Sequence, residues 1–501
     1  ALFKDTAIGN NPTEERNSYY ILRFDFSAVD SQNPERNFNK YVNKRLETFV
    51  EKYKIEVDIS DENSNNNLNS LFSRCSLDNA ALYVMIDEYD NFINELLMKD
   101  KQQYENLVTG EDSKYKQFFK TLKAGTGGND APVKKMFITG VSPLAMYDVT
   151  SGYNIGSNIT TRLPFNDILG VTRDELDAML DHFNLSDRRE MIRDRMDKWY
   201  DGYKFNENIG HTIYNTDMVL YYLNSMITEN MEPRELIDIN VRSDYGKIRF
   251  LIQTDKRLNG NFSVLEKILS EGKIDVLKIV DAFSAFDIRS RSNFVSLLFY
   301  LGLITIDKYE VLDLTLKIPN QTVQKILAEF IRKALEEQKI FDINLDMFSQ
   351  KLKLFSTRKD MSVFHWLGGQ INAHSKVRDY ISGESYIKGF LVAYLSLAPF
   401  YEVITEHEVM TEHKTGKGYV DIFLKPITEN VPFCGAIELK YIKRKEFSEA
   451  LLEEKIADAR DQLKKYKAPE NTIKVILVFN GWELVHVEEW QGAKKMADDG
   501  Q

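Results

Sequence analysis

Three short apolar runs, Tyr19–Phe26, Ala80–Ile86 and Lys135–Gly140, limit the folds open to this chain more than any other feature. Each is rich in aromatic or β-branched residues and too short for a buried helix, so each reads as a buried strand. A helix is predicted over about 37–53, and the Asn-, Ser- and Asp-rich stretch 58–69 reads as a loop. Strands spaced by spans long enough for helices point to a parallel sheet in an α/β domain.

The chain has 501 residues, more than one core accommodates, so two or three domains are expected. From Val171 the texture becomes mainly helical, with Thr172 and Glu175 spaced as a capping box. Within this part Trp199–Phe205 reads as a packed aromatic turn, and 297–316 as a helix and hairpin. A third segment begins near Leu345. It is predicted to contain a helix from Ser382 to Leu397 and strands over 401–410, 418–424 and 434–442. Leu452, Ile456, Ala459, Leu463 and Tyr466 then form one helical stripe, before a final strand at 473–479.

Net charge is −11, so attraction to nucleic acid must come from a local basic patch. The two cysteines, Cys75 and Cys434, form no metal-ligand spacing and fit a reducing, cytoplasmic compartment. The apolar stretch 389–400 is too short to span a bilayer. The opening Ala1–Lys4 has neither a Met nor a signal-peptide pattern, as in a fragment or trimmed chain.

Chemistry concentrates near the C-terminus. In Ala436-Ile437-Glu438-Leu439-Lys440 the strand alternation points Glu438 and Lys440 one way and Ile437 and Leu439 into the core. A charged pair framed by apolar neighbours needs partners, and Asp421 on the preceding strand can be one. Carboxylate oxygens suit Mg²⁺ or Mn²⁺, which activates a water and offsets phosphate charge. Lys440 can orient that water or stabilise developing charge. Glu384 can add a third carboxylate, and Gln462 can hold a metal-bound water or the scissile phosphate. Lys443, Arg444 and Lys445, around which Tyr441 lies, could contact phosphates, or could be a solvated strand end.

The ordered set of Glu384, GYVDIFL (418–424), AIELK (436–440) and Gln462-Leu463 with Tyr466 resembles the PD-(D/E)XK nuclease superfamily, over roughly a hundred residues. The closest likeness is the nuclease domain attached to bacterial AAA-ATPase-like proteins. The resemblance implies a restriction-endonuclease-like α/β domain. Its metal ligands map to Asp421 and Glu438, its lysine to Lys440 and its helix positions to Glu384 and Gln462.

Leu82–Ile86 followed by Asp87-Glu88 matches a Walker B strand, and Thr139 falls in the sensor position of its expected neighbour. With WYDGYKF, this order resembles the AAA-ATPase-like family over most of residues 1–345. A P-loop needs G-x-x-x-x-G-K-[ST]. Gly246-Lys247, Gly272-Lys273 and Gly416-Lys417 all lack the following Ser or Thr. The expected fold is therefore α/β, in three parts. These are a P-loop-NTPase-like parallel sheet lacking its P-loop, as a truncated core over 1–170; a helical lid or winged-helix-like region over 171–345; and the nuclease domain over 346–501. The expected function is Mg²⁺- or Mn²⁺-dependent cleavage of nucleic acid, DNA ahead of RNA, without ATP hydrolysis and without a membrane. A protein partner is allowed for. The alternative is a non-catalytic binding scaffold. His407-Glu408 and His413 have the wrong spacing for a zinc protease helix.

Overall fold

In a computed structural model, the described residues are 3–4, 6–99, 101–110, 113–141, 156–238, 253–254, 257–258, 260–284, 287–288, 290–310, 313–374, 376–377, 381, 383–410, 417–428 and 430–491. The chain divides into two compact units, 1–159 with 279–301, and 160–278 with 302–501. This division does not separate 171–345 from 346–501.

The first unit is built on strands β1 (Tyr20–Asp25), β2 (Leu82–Asp87) and β3 (Val133–Ile138), all parallel, in the order β1-β2-β3. Helices α1 (Pro34–Tyr53), α2 (Ser64–Leu77) and α3 (Lys114–Ala124) pack together beside it. Phe24, Phe26, Phe38 and Phe118 lose nearly all their surface in this core and meet edge to face or tilted. The first strand is not wholly buried, contrary to the sequence reading. Leu22 and Phe24 point into the core, while Tyr20, Ile21 and Arg23 on β1 and Phe137 on β3 stay exposed. A parallel strand is buried on both sides only when helices cover both faces. The Asn-rich stretch is also not all loop. Asn63 caps α2 through its side chain, and buried Asn67 donates to Asn43 Oδ1 at 2.9 Å and to the Asp61 carbonyl at 2.7 Å.

The second unit opens with α4 (Arg173–His182), whose Thr172–Glu175 capping box is formed, then α5 (Arg189–Trp199) and α6 (Thr216–Thr228). The aromatic turn between them is a fastener. Gly202 has φ +103°, and a Cβ there would lie 2.2 Å from the Pro319 carbonyl oxygen. Asn320 donates to the Asp201 carbonyl at 2.8 Å, and Thr322 to that of Trp199 at 2.7 Å. A short ladder of β4 (Gln253–Thr254) and β5 (Arg257–Leu258) precedes α7 (Gly260–Glu271). Strands β6 (Lys273–Val276), β7 (Thr305–Glu310) and β8 (Asp313–Lys317) form an antiparallel sheet in the order β6-β8-β7. The helical reading of 171–345 thus omits a small sheet beyond its expected hairpin.

Helices α8 (Gln321–Glu337), α9 (Leu345–Arg358), α10 (Ser362–Ala373) and α11 (Glu384–Leu395) lead into the C-terminal sheet. Its strands β9 (Tyr401–Met410), β10 (Lys417–Pro426), β11 (Cys434–Ile442), β12 (Thr472–Asn480) and β13 (Glu483–Glu489) run in the order β13-β12-β11-β10-β9. Only the β11–β12 pair is parallel. Helix α12 (Glu449–Lys465) crosses between them, with Ile456, Ala459 and Leu463 packed on Ala436, Ile442, Ile476 and Val478. Helix α11 is buried on all sides from Ile387 to Leu395 and packs against α7, α8 and the sheet. Among the described residues no helix is long and apolar enough to cross a membrane.

Candidate active site

Strand β11 lies at the centre of its sheet with both edges paired, α11 and α12 pack against it, and Glu438 keeps only 4% of its surface. A buried carboxylate needs a cation or donors. Lys440, on the same face, donates from Nζ to Glu438 Oε1 at 2.7 Å and to Gln462 Oε1 at 2.6 Å. Gln462 comes from α12, whose apolar stripe fixes the helix over this part of the sheet.

Asp421 comes from β10. Its Oδ2 accepts the backbone N–H of Leu439 at 2.9 Å, which ties it to the Glu-x-Lys segment. Its Oδ1 lies 3.4 Å from Lys388 Nζ on α11. Glu384 begins α11 and stays exposed, and its carboxylate accepts a hydrogen bond from the Tyr441 backbone. Two neighbouring strands and the two helices that pack on them therefore bring Glu384, Asp421, Glu438, Lys440 and Gln462 together.

The carboxylates oppose one another. Burial pushes the Glu438 carboxyl up to about 7, the Asp421 charge adds to the rise, and Lys440 opposes it. Glu384 is raised by partial loss of water and by Asp421. Among the described residues no three Asp, Glu, His or Cys side chains form a ready-made metal cage. Mg²⁺ retains several waters and binds through one or two carboxylates. The hard oxygen donors of Asp421 and Glu438, with a mutual repulsion that a dication would relieve, fit such an ion.

Lys388 was not singled out in the sequence. The signal was available, because Glu384 and Lys388 are one helical turn apart on an otherwise apolar helix.

The basic run 443–445 follows β11 in a single turn. Arg444 stacks on the Trp482 ring at 4.0 Å and lies 3.6 Å from Glu483, and Lys443 lies 3.4 Å from Glu446. Lys445 is exposed. Cys434 is buried beside Asn471. His413 lies outside the described residues.

In the first unit Asp87 ends β2, and Thr139, just past β3, donates to its Oδ1 at 2.6 Å. Arg23 of β1 lies 3.2 Å from the other oxygen. Glu88 is in the left-handed region at φ +48° and accepts from the Asn91 side chain. Asp90, which the motif does not include, is buried and accepts the Val141 N–H at 3.0 Å and the Asn94 amide at 2.8 Å.

Residues 1–150 match a family model described as a predicted AAA-ATPase, AAA-ATPase-like. Residues 382–489 match one described as the PD-(D/E)XK nuclease superfamily. No curated protein and no solved structure matches the chain.

Proposed function

Given a chain that carries a PD-(D/E)XK nuclease superfamily domain at 382–489 and a predicted AAA-ATPase-like domain at 1–150, we propose that it is a divalent-metal-dependent nuclease that hydrolyses phosphodiester bonds, with DNA as the first substrate to test. The observation that carries this reading is the bridge from Glu438 through Lys440 to Gln462, with Asp421 tied to the same strand through Leu439.

Asp421 and Glu438 would hold Mg²⁺ or Mn²⁺, with Glu384 at the edge of the same cluster. Bound there, the ion supplies an activated water and offsets charge on the phosphate. Lys440 orients the attacking water or stabilises charge at the phosphate, held in position by Gln462. Lys443, Arg444 and Lys445 provide contacts for flanking phosphates. In the first unit Asp87, Glu88 and Thr139 form a degenerate nucleotide site. Arg23 pairs with Asp87 at the exposed ends of these strands, and no G-x-x-x-x-G-K-[ST] sequence accompanies them, so this unit is read without ATP hydrolysis.

The test is cleavage of plasmid and oligonucleotide DNA with Mg²⁺ or Mn²⁺. Cleavage is expected to stop with a chelator and to fall below detection in Asp421→Ala. Equal cutting by that variant would mark a contaminant and leave the scaffold reading. The same preparation is expected to release no phosphate from ATP, and turnover that disappears in Asp87→Ala would overturn that part.

A further inference from the structure

Lys388 is the one charged residue in the buried run of α11 from Ile387 to Leu395. Its side chain keeps 10% of its surface, and its ammonium lies 3.4 Å from Asp421 Oδ1. We propose that Lys388 is a resident counter-cation of the metal position: it holds Asp421 in the metal-free protein and competes with the divalent ion for that carboxylate. The inference rests on the nuclease reading of the site and adds a positioning residue to it.

Three observations support this role. Burying an ion pair seldom stabilises more than packing apolar groups would. The rest of the buried run on α11 is uncharged, and Glu384 stands one turn before Lys388, so packing alone would be served by an aliphatic side chain. The charges also balance in a particular way. Glu384, Asp421 and Glu438 face two ammonium groups, Lys440 against Glu438 and Lys388 against Asp421. A dication added to that set meets an acid cluster already largely neutralised, whereas one added without Lys388 fills a deficit. Finally, Lys388 lies close enough to favour the charged form of Glu384 as well, so it serves the cluster rather than a single partner.

The test measures Mn²⁺ binding to the full chain by electron paramagnetic resonance, together with the rise in melting temperature that Mn²⁺ produces. Wild type, Lys388→Met, Lys388→Gln, Lys388→Arg and Asp421→Asn are compared. Lys388→Met and Lys388→Gln are expected to bind Mn²⁺ about tenfold more tightly and to show a larger Mn²⁺-dependent rise. Lys388→Arg keeps the charge and is expected to bind as wild type does. Damage to the fold would weaken metal binding, so the direction separates the proposed role from a structural one. If Lys388→Met fails to fold, Lys388→Gln carries the comparison. Equal or weaker binding in the neutral variants, with Asp421→Asn still impaired, overturns the inference and leaves the nuclease reading in place. Binding that Asp421→Asn does not alter, or no binding in any variant, overturns the nuclease reading itself.

Discussion

Glu438→Gln is expected to lower metal-dependent cleavage by on the order of a thousandfold or more, with the fold intact. The amide has the shape of the carboxyl, and its oxygen can accept the same hydrogen bond that Lys440 now donates at 2.7 Å. What is lost is the charge, which a metal ion needs. The fold should tolerate that loss, because burial and Asp421 already push the Glu438 carboxyl up to about 7. Lys440→Met should lose cleavage to a similar extent for a different reason. It removes the cation and the donor, so Glu438 takes up a proton and stays buried without its partner, at a cost of about 1–3 kcal/mol. Initial rates at saturating Mg²⁺ and thermal melts on the same samples separate the two. Glu438→Gln should melt close to wild type and Lys440→Met well below it. Cleavage by Glu438→Gln at wild-type rate would remove Glu438 from the reaction.

The parts of the site legible in the sequence are those set by strand alternation. Glu438 and Lys440 sit two apart in a run otherwise apolar, and a central strand puts such a pair on one face whatever surrounds it. Gln462 could be placed because the stripe through Ile456, Ala459 and Leu463 fixes which side of its helix meets the sheet. What stayed hidden depends on contacts distant in the chain. Lys388 becomes notable only when β10 brings Asp421 to α11, and Arg23 only when β1 aligns with β2. Strand β13 was missed because each of its residues is only partly buried and four of its seven can carry charge, so it lacks a clean apolar face. Its hairpin signal was present in Asn480-Gly481, with Gly481 at φ +61°. The Asn-rich start of α2 read as loop because Asn favours caps and turns, and tertiary hydrogen bonds to Asn67 overrode that preference.

A second large effect is expected outside the acid cluster, at Glu266. This residue lies in α7 and keeps 2% of its surface, and neither carboxyl oxygen has a hydrogen-bond partner among the described residues. The helix packs closely on α11, where a Cβ on Gly389 would lie 3.1 Å from the Glu266 carbonyl oxygen. Burial alone pushes the carboxyl from its ordinary 4.5 up to about 9. In the folded protein it is therefore neutral at physiological pH, while in the unfolded chain it is ionised. Below about pH 4.5 both states are protonated and Glu266 costs nothing on this account. Between about 4.5 and 9 the unfolded state alone loses its proton, so stability falls progressively as pH rises, and above 9 the loss levels off. At about 1.4 kcal/mol per pH unit the accumulated penalty is on the order of several kcal/mol. Glu266→Met, unbranched and apolar, is expected to recover most of it at pH 8 and little at pH 4.5. Denaturant midpoints of the second unit's transition at the two pH values measure the difference. An equal gain at both would show that packing rather than ionisation sets the cost.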